Sequence, residues 1–480
     1  MKYQILLVLV LFLFSCKKQE EATPKNVLII CVDDLRPELK SFGSNYIKSP
    51  NIDALANKGV KFTNHFVNAP SCGPSRYTFL TGQYGLQYRE QSNGALFSRA
   101  KDELNQAKMV SPSMPEWFKQ NGYTTVSVGK VSHHPGGRGG DNWDNDSIIE
   151  MPRAWDKHVM PVGSWKTPRG AMHGLANGQA RTPEHRDVLQ AIDGLDTSYP
   201  DGLIAEEGLN QIEKLAAAKK PFFLAIGLIK PHLPFGVPKK YLEMYEGVEI
   251  PEIQHPEKPL GETTWHPSGE FMKYNRNNRD PRTDNEFAIE LKRYYAACVS
   301  YADKHVGDIL KKLKETGADK NTIVVLWGDH GWHLGEHAIW GKHSLFEESL
   351  HSPLIIYNPE NKENGERIDA IVETLDIFPT LSELCKLPIP EFVDGKSLVA
   401  VMEHKEETSR AAIAYTSSAI TIRTSKYRFT EQRDGSAELY DHVRNPDETN
   451  NRAKEKPEVV KQLKQILNDK LNGEAFNLNL

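Results

Sequence analysis

The sequence predicts an α/β protein with a large, mixed, mostly parallel sheet flanked by helices, followed by a smaller antiparallel sheet. Three observations predict it. The continuous apolar run Asn26-Val-Leu-Ile-Ile-Cys-Val32 suits a central parallel strand buried on both faces. Apolar strand-like runs then alternate with helical patterns along most of the chain. Beyond about residue 400 the pattern changes to short strands separated by turn residues.

Taken in order, a short helix is expected from about Ile52 to Asn57, closed by Gly59. Ser113-Met-Pro-Glu116 places serine at an N-cap and glutamate three residues on, the capping box that opens a helix. Gly122 stops that helix, and Tyr123 to Val128 returns as a strand. A helix over Leu203 to Ala218 precedes a strand over Phe222 to Ile229, and a helix from about Phe287 to Thr316 precedes a strand over Thr322 to Trp327. Short strands at Ala412 to Thr416, Ile420 to Arg423, Tyr427 to Glu431 and Ala437 to Tyr440 lead to a closing helix, Pro457 to Leu471. The expected division is a main domain over 26–400 and a smaller α+β subdomain over 401–480. Two segments lack periodicity, Pro251 to Asp284 and the glycine-rich Gly136 to Ser147. Long irregular loops in compact domains are usually functional or disordered, and ligands of open α/β sheets sit outside the carboxyl ends of the strands.

The chain has 480 residues, 39% hydrophobic and 26% charged, with a formal net charge of −5. No basic tract points to nucleic acid, and no fixed-period repeat points to a solenoid or propeller. Met1-Lys2 leads into an apolar run from Ile5 to Phe14, too short to span a bilayer and patterned as a secretory signal over residues 1–15. Leu13-Phe14-Ser15-Cys16 resembles a bacterial lipobox, which makes Cys16 a lipidation site and 16–25 a tether. That reading expects an exported bacterial lipoprotein of the periplasm or cell surface, anchored to the outer membrane and touching it only through the lipid; a cleaved signal without lipid is the alternative. Cys31, Cys72, Cys298 and Cys385 are too dispersed for a disulfide framework. Cys31, Cys298 and Cys385 lie in apolar patterns and read as buried thiols. Cys72 lies in a turn.

Cys72-Gly-Pro-Ser-Arg76, continuing Tyr-Thr-Phe-Leu-Thr-Gly82, resembles the signature of the formylglycine-dependent type I sulfatases. A bare Cys-x-Pro-x-Arg arises often by chance, and the Leu-Thr-Gly that follows makes it far more specific. The resemblance runs from about Asn26 to about Glu448 and is closest in its motifs to the iduronate-2-sulfatase branch. It implies an alkaline-phosphatase-like fold and a sulfuric ester hydrolase. It implies too that a formylglycine-generating enzyme oxidises Cys72 to an aldehyde. The aldehyde hydrates to a diol; one hydroxyl attacks sulfur, and loss of the other's proton expels sulfate. Pro74 and Ser75 suit a helix start, which sets Cys72 at a positive helix end that favours an anion.

Asp33 and Asp34 follow the first strand as the family's metal-binding acids do, although such a pair alone is usually a solvated turn. Gly328-Asp329-His330-Gly331 follows the strand over Thr322 to Trp327, and two strand ends of one parallel sheet can lie side by side. Asp33, Asp34, Asp329 and the modified Cys72 would suit one calcium ion. His330, the fifth expected metal position, stands where many sulfatases have asparagine and the iduronate branch has histidine. The resemblance makes Lys130, in Gly129-Lys130-Val-Ser-His133, a contact to sulfate and formylglycine. His133 is then the base that deprotonates the diol, with His134 beside it. It makes His232, in Lys230-Pro231-His232, a sulfate contact and proton donor to the leaving sugar oxygen. Lys342 would bind a sulfate oxygen, and Arg76 would steady the formylglycine. Trp332, His333, Arg138, Trp340 and Arg276 flank these motifs as candidate sugar contacts. The implied substrate is a sulfated uronate-like sugar in an oligo- or polysaccharide, with algal polysaccharides such as ulvan favoured over glycosaminoglycans. The competing readings are a phosphatase or phosphonate hydrolase of the same superfamily, and a non-catalytic glycan-binding lipoprotein in which Cys72 stays a thiol.

Overall fold

In the computed structural model, which describes residues 24–85, 93–105, 110–139, 144, 149–261, 263–361, 365–405 and 410–472, the first apolar run is strand β1, Asn26–Val32. Val27 to Val32 have no accessible surface, as a strand covered on both faces requires. The expected signal peptide, the Cys16 lipidation site, nearly all of the tether and part of the Gly136 to Ser147 loop lie outside the described residues.

Among the described residues, seven more strands complete the main sheet. They are β2 (Val60–Phe66), β3 (Thr124–Gly129), β4 (Lys157–Val159), β5 (Phe222–Leu228), β6 (Thr322–Gly328), β7 (Leu354–Tyr357) and β8 (Arg367–Glu373). Their spatial order is β8-β2-β7-β6-β1-β5-β3-β4, and β7 alone runs antiparallel to its neighbours. Side chains alternate across β1: Leu28, Ile30 and Val32 face one hydrophobic core, and Val27, Ile29 and Cys31 face the other. The first core is closed by α1 (Pro50–Ala56) and by two long helices, Pro200–Ala217 and Asn285–Glu315. The second is closed by α2 (Cys72–Thr81), Met114–Gln120 and Ile377–Leu384.

The capping box forms as expected, with both Ser113 and Glu116 bonds made, and Gly122 ends that helix at φ 88°. Gly59 does not cap α1. The cap is Asn57, and Gly59 keeps an ordinary φ; a Cβ there would lie 2.9 Å from the Ile356 carbonyl oxygen, so glycine serves the close pass of β7. The carboxyl-terminal region forms an antiparallel sheet in sequence order, β9 (Ala412–Tyr415), β10 (Ala419–Arg423), β11 (Tyr427–Gln432) and β12 (Ala437–Asp441), with helix Pro457–Leu471 packed on it through Leu463, Ile466 and Leu467. Cys31, Cys72, Cys298 and Cys385 are buried free thiols. No helix among the described residues is long and apolar enough to cross a membrane.

Candidate active site and metal centre

The register of the sheet aligns four strand ends. Val32 of β1 pairs with Leu228 of β5 on one side and with Gly328 of β6 on the other, while Gly129 of β3 pairs with Gly227. The residues that follow each end, Asp33-Asp34, Asp329-His330, Ile229 to His232 and Lys130 to His133, therefore emerge along one edge. Gly129, at φ 75°, turns the chain there, and Gly227 leaves room for the turn: a Cβ on it would sit 2.0 Å from the Lys130 carbonyl oxygen. The chain leaving β2 reaches the same edge and begins α2 at Cys72, with Ser71 as its extended N-cap.

Cys72 is the meeting point. Its Sγ lies 3.2 Å from Lys342 Nζ, 3.3 Å from His330 Nε2, 3.4 Å from Asp33 Oδ1 and 3.7 Å from Lys130 Nζ. Lys342 Nζ also pairs with Asp34 Oδ1 at 2.9 Å, and Lys130 with Asp33. Arg76, one turn into α2, is fully buried and grips the acids from below. Its Nε donates to Asp329 Oδ2 at 3.0 Å, its Nη2 lies 3.3 Å from Asp33 Oδ1, and its Nη1 donates to the carbonyls of Lys130 and Val131. Arg76 thus braces the acids and the β3 turn together.

Three carboxylates meet three cations here, and the balance is uneven. Burial opposes ionisation of Asp33, but Lys130, His232 and Arg76 hold its carboxyl well below the usual range. Burial, then repulsion from Asp33 and Asp329 against the pull of Lys342, pushes Asp34 well above it. Burial and Asp33 push Asp329 up to about 7, against Arg76. Asp34 Oδ2 is buried with no hydrogen-bond partner. His330 donates from Nδ1 to the Gly331 carbonyl at 2.9 Å, which fixes the tautomer and leaves the Nε2 lone pair facing Asp34 Oδ1 at 3.3 Å. Ligand atoms of Asp33, Cys72, Asp329 and His330 lie within 4.8 Å of one another, as do those of Asp33, Asp34, Cys72 and His232. A hard divalent cation fits this donor set: it would satisfy the orphaned Asp34 oxygen and offset the burial and repulsion that push Asp34 and Asp329 up.

Three histidines ring the site. His133 is held well below its ordinary value by burial, then by Lys130 and His134, so it is a neutral imidazole at neutral pH. His134 is tied to Glu150 at 3.0 Å, which leaves His133 as the one nearer the acids. His232 donates from Nδ1 to the Leu233 carbonyl at 2.7 Å and turns Nε2 inward, 3.8 Å from Glu270. Burial, then Lys342 and Lys130, keeps it neutral as well. Asp201 fixes this loop by accepting from the Ile229 and Lys230 amides at 2.6 and 3.0 Å.

All ten residues singled out from the sequence for the catalytic and metal positions converge on this edge. Glu270 joins them from the long irregular segment, 3.9 Å from Lys342 Nζ and 3.5 Å from His343 Nε2. His173, its ring 5.5 Å from that of His232, joins from another loop. Neither belongs to a motif, and only the length of the 251–284 segment signals the first. The expected sugar contacts fare less well. Trp332, His333 and Trp340 are buried, Trp332 carrying Lys342 over its ring at 5.2 Å, and Arg276 donates to its own loop at Arg279. Arg138 is half-buried, next to His158.

The structure of a phosphonate monoester hydrolase of Agrobacterium radiobacter aligns at a TM-score of 0.75 over 94% of this chain and 96% of that one, at 21% identity. The fold is therefore alkaline-phosphatase-like. A family model described as sulfatase matches residues 25–387, and one described as N-sulphoglucosamine sulphohydrolase, C-terminal, matches 335–473. A sulfatase of Formosa agariphila is 32% identical over 96% of this chain and 92% of its own length, and human iduronate 2-sulfatase is 33% identical over 76% and 70%. An ulvan-active sulfatase of Formosa agariphila is 28% identical over 99% and 87%. The chain belongs to the sulfatase family, whose reaction is hydrolysis of sulfuric esters.

Proposed function

We propose that this sulfatase removes sulfate from a sugar of a sulfated polysaccharide or its oligosaccharides, using Cys72 oxidised to formylglycine and one calcium ion. The observation that carries the proposal is the position of Cys72 Sγ between two lysines, His330 and Asp33. As an unmodified thiol, Cys72 is a poor nucleophile. Burial, then Asp33, pushes its pKa well above the ordinary value despite Lys130 and Lys342, so the thiolate is scarce. Oxidation by a formylglycine-generating enzyme would supply the hydrated aldehyde whose hydroxyl attacks sulfur. Asp33, Asp34, Asp329, His330 and position 72 would hold calcium, which when bound neutralises charge on the sulfuryl oxygens.

The remaining work falls to the chain's own side chains. Lys130 and Lys342 flank the reacting position and offset the negative charge that builds on the sulfuryl group. His133, neutral, takes the proton whose loss releases sulfate. His232 presents Nε2 to the leaving oxygen; a bound sulfate ester's negative charge opposes the lysines that keep it neutral, which favours the protonated, donating form. Arg76 acts at one remove, holding Asp33 and Asp329 in place.

The likeness to human iduronate 2-sulfatase and to the ulvan-active sulfatase supports a uronate-containing substrate, and the second favours an algal polysaccharide over a glycosaminoglycan. Sulfate release from ulvan and glycosaminoglycan oligosaccharides, measured by ion chromatography beside phosphonate and phosphate monoesters, tests this. Release from ulvan fragments first is expected; faster cleavage of phosphonates overturns it. The lipobox-like Leu13-Phe14-Ser15-Cys16 supports an exported, lipid-anchored protein. Cys16→Ser should move it from the membrane to the soluble fraction, and an unchanged membrane fraction would exclude that anchor.

A further inference from the structure

A second cluster stands apart from the Cys72 site. His255 of the long irregular segment, His337 of the loop after His330, and Glu348 of the short helix Glu347–Leu350 offer ligand atoms within 4.8 Å of one another. His255 Nε2 lies 3.0 Å from Glu348 Oε1, and His337 Nε2 lies 3.6 Å from Glu348 Oε2. Two ligands each about 2.1 Å from a tetrahedral metal are about 3.4 Å apart, close to both separations. His337 has no accessible surface, and neither ring nitrogen has a hydrogen-bond partner; Glu348 Oε2 and His255 Nδ1 are buried without one as well. A metal held by His337 Nε2 and Glu348 Oε2 would satisfy two of these four atoms, which are costly to bury if nothing binds there. His337 and Ala338 hold left-handed backbone at φ 55° and 56°, a strain of the kind that gathers at ligand clamps. Neighbouring His333 is excluded as a ligand, since its nitrogens are taken by the Glu336 carbonyl at 3.2 Å and Ser344 Oγ at 2.8 Å.

We propose that His255, His337 and Glu348 form a second metal site that takes a zinc-class divalent cation, with solvent as the fourth ligand. Two imidazoles and one carboxylate suit zinc and not calcium. Asp447 Oδ2 lies 3.9 Å from His255 Nδ1, too long for a hydrogen bond, and adds only its charge to the site. The side chains of His255 and Glu348 keep 13% exposure, which gives an ion a way in. The metal fastens the 251–284 segment to the loop that carries His330 and Lys342, so its work is structural.

The test uses the whole protein, first saturated with calcium, then dialysed with zinc chloride and measured by elemental analysis, with cobalt(II) in place of zinc as an optical probe. One zinc per chain and a visible absorption of tetrahedral cobalt are expected. His255→Ala and Glu348→Gln should each abolish both, and Asp33→Ala should leave both in place. His255 is partly exposed, and circular dichroism of its variant establishes that the fold is kept. A wild type that takes up no zinc overturns the proposal, as does a folded His255→Ala protein that binds zinc as the wild type does.

Discussion

Asp34 Oδ2 and the Cys72 thiol are the two atoms whose surroundings conflict most with the bare chain. The oxygen is buried without a partner, and burial, then Asp33, keeps the thiol protonated despite the two lysines beside it. A divalent cation would answer the first conflict, and the proposed oxidation of Cys72 would answer the second. Cys72→Ala should therefore keep the fold and lose sulfate release entirely, since Cys72 sits at the first position of a helix and anchors no core; a folded variant retaining a substantial fraction of the wild-type rate would remove Cys72 as nucleophile. His133→Ala should fail later in the cycle. Attack on sulfur survives, release stalls, and a sulfated enzyme should accumulate in intact-mass spectra while steady turnover falls about 10²–10⁴-fold. Unimpaired turnover would take the base role away from His133.

The elements place these atoms by strand register, and glycine permits the tightest approach. A Cβ at Gly227 would lie 2.0 Å from the Lys130 carbonyl oxygen, whereas one at Gly269 would meet nothing within 4 Å. Gly227→Ala should cost about 1–3 kcal/mol of stability by overpacking and should lower kcat by displacing Lys130. Gly269→Ala should leave stability unchanged. Urea titration of both variants checks this, and equal stabilities would mean that the β3 turn yields freely. The same elements explain what was legible in the sequence. β1, β5 and β6 are buried on both faces and read as unbroken apolar runs, so their ends, and the acids and histidines beyond them, could be located. β2 carries Lys61, Thr63 and Asn64 among its apolar residues, and β4 spans three residues, so neither stands out. Trp332, His333 and Trp340 flank the motifs in sequence yet turn into the core, which spacing cannot reveal. Glu270, and the grouping of His255 with His337 and Glu348, depend on where an irregular segment crosses the sheet edge, and no local pattern encodes that.

For the whole molecule, the buried carboxylates couple metal, proton and fold. Without metal, burial and Asp33 hold Asp329 at about 7, against about 3.9 in an unfolded chain. The folded state then binds the proton more tightly, so this stabilisation is complete below about pH 4 and is lost as pH rises to about 7. Buried neutral histidines such as His133 and His232 act in the opposite direction, so the Asp329 contribution is read by comparing the metal-free wild type with Asp329→Asn. The wild type should lose melting temperature relative to the variant between about pH 5 and about pH 8, and calcium should remove that loss by replacing the proton. Calcium affinity, followed by titration calorimetry, should fall as pH drops below about 7, by about tenfold per unit for each proton displaced from Asp34 and Asp329. Affinity flat across that range would contradict the convergence of Asp33, Asp34 and Asp329 on one ion. The whole mechanism turns on the chemistry of one side chain. Its most direct measurement is peptide mass spectrometry of position 72 in protein that was co-produced with a formylglycine-generating enzyme and assayed for sulfate release. An aldehyde at Cys72, in a fraction that matches the active fraction, is the expected result; an intact thiol in protein that hydrolyses sulfate esters at full rate would contradict the mechanism.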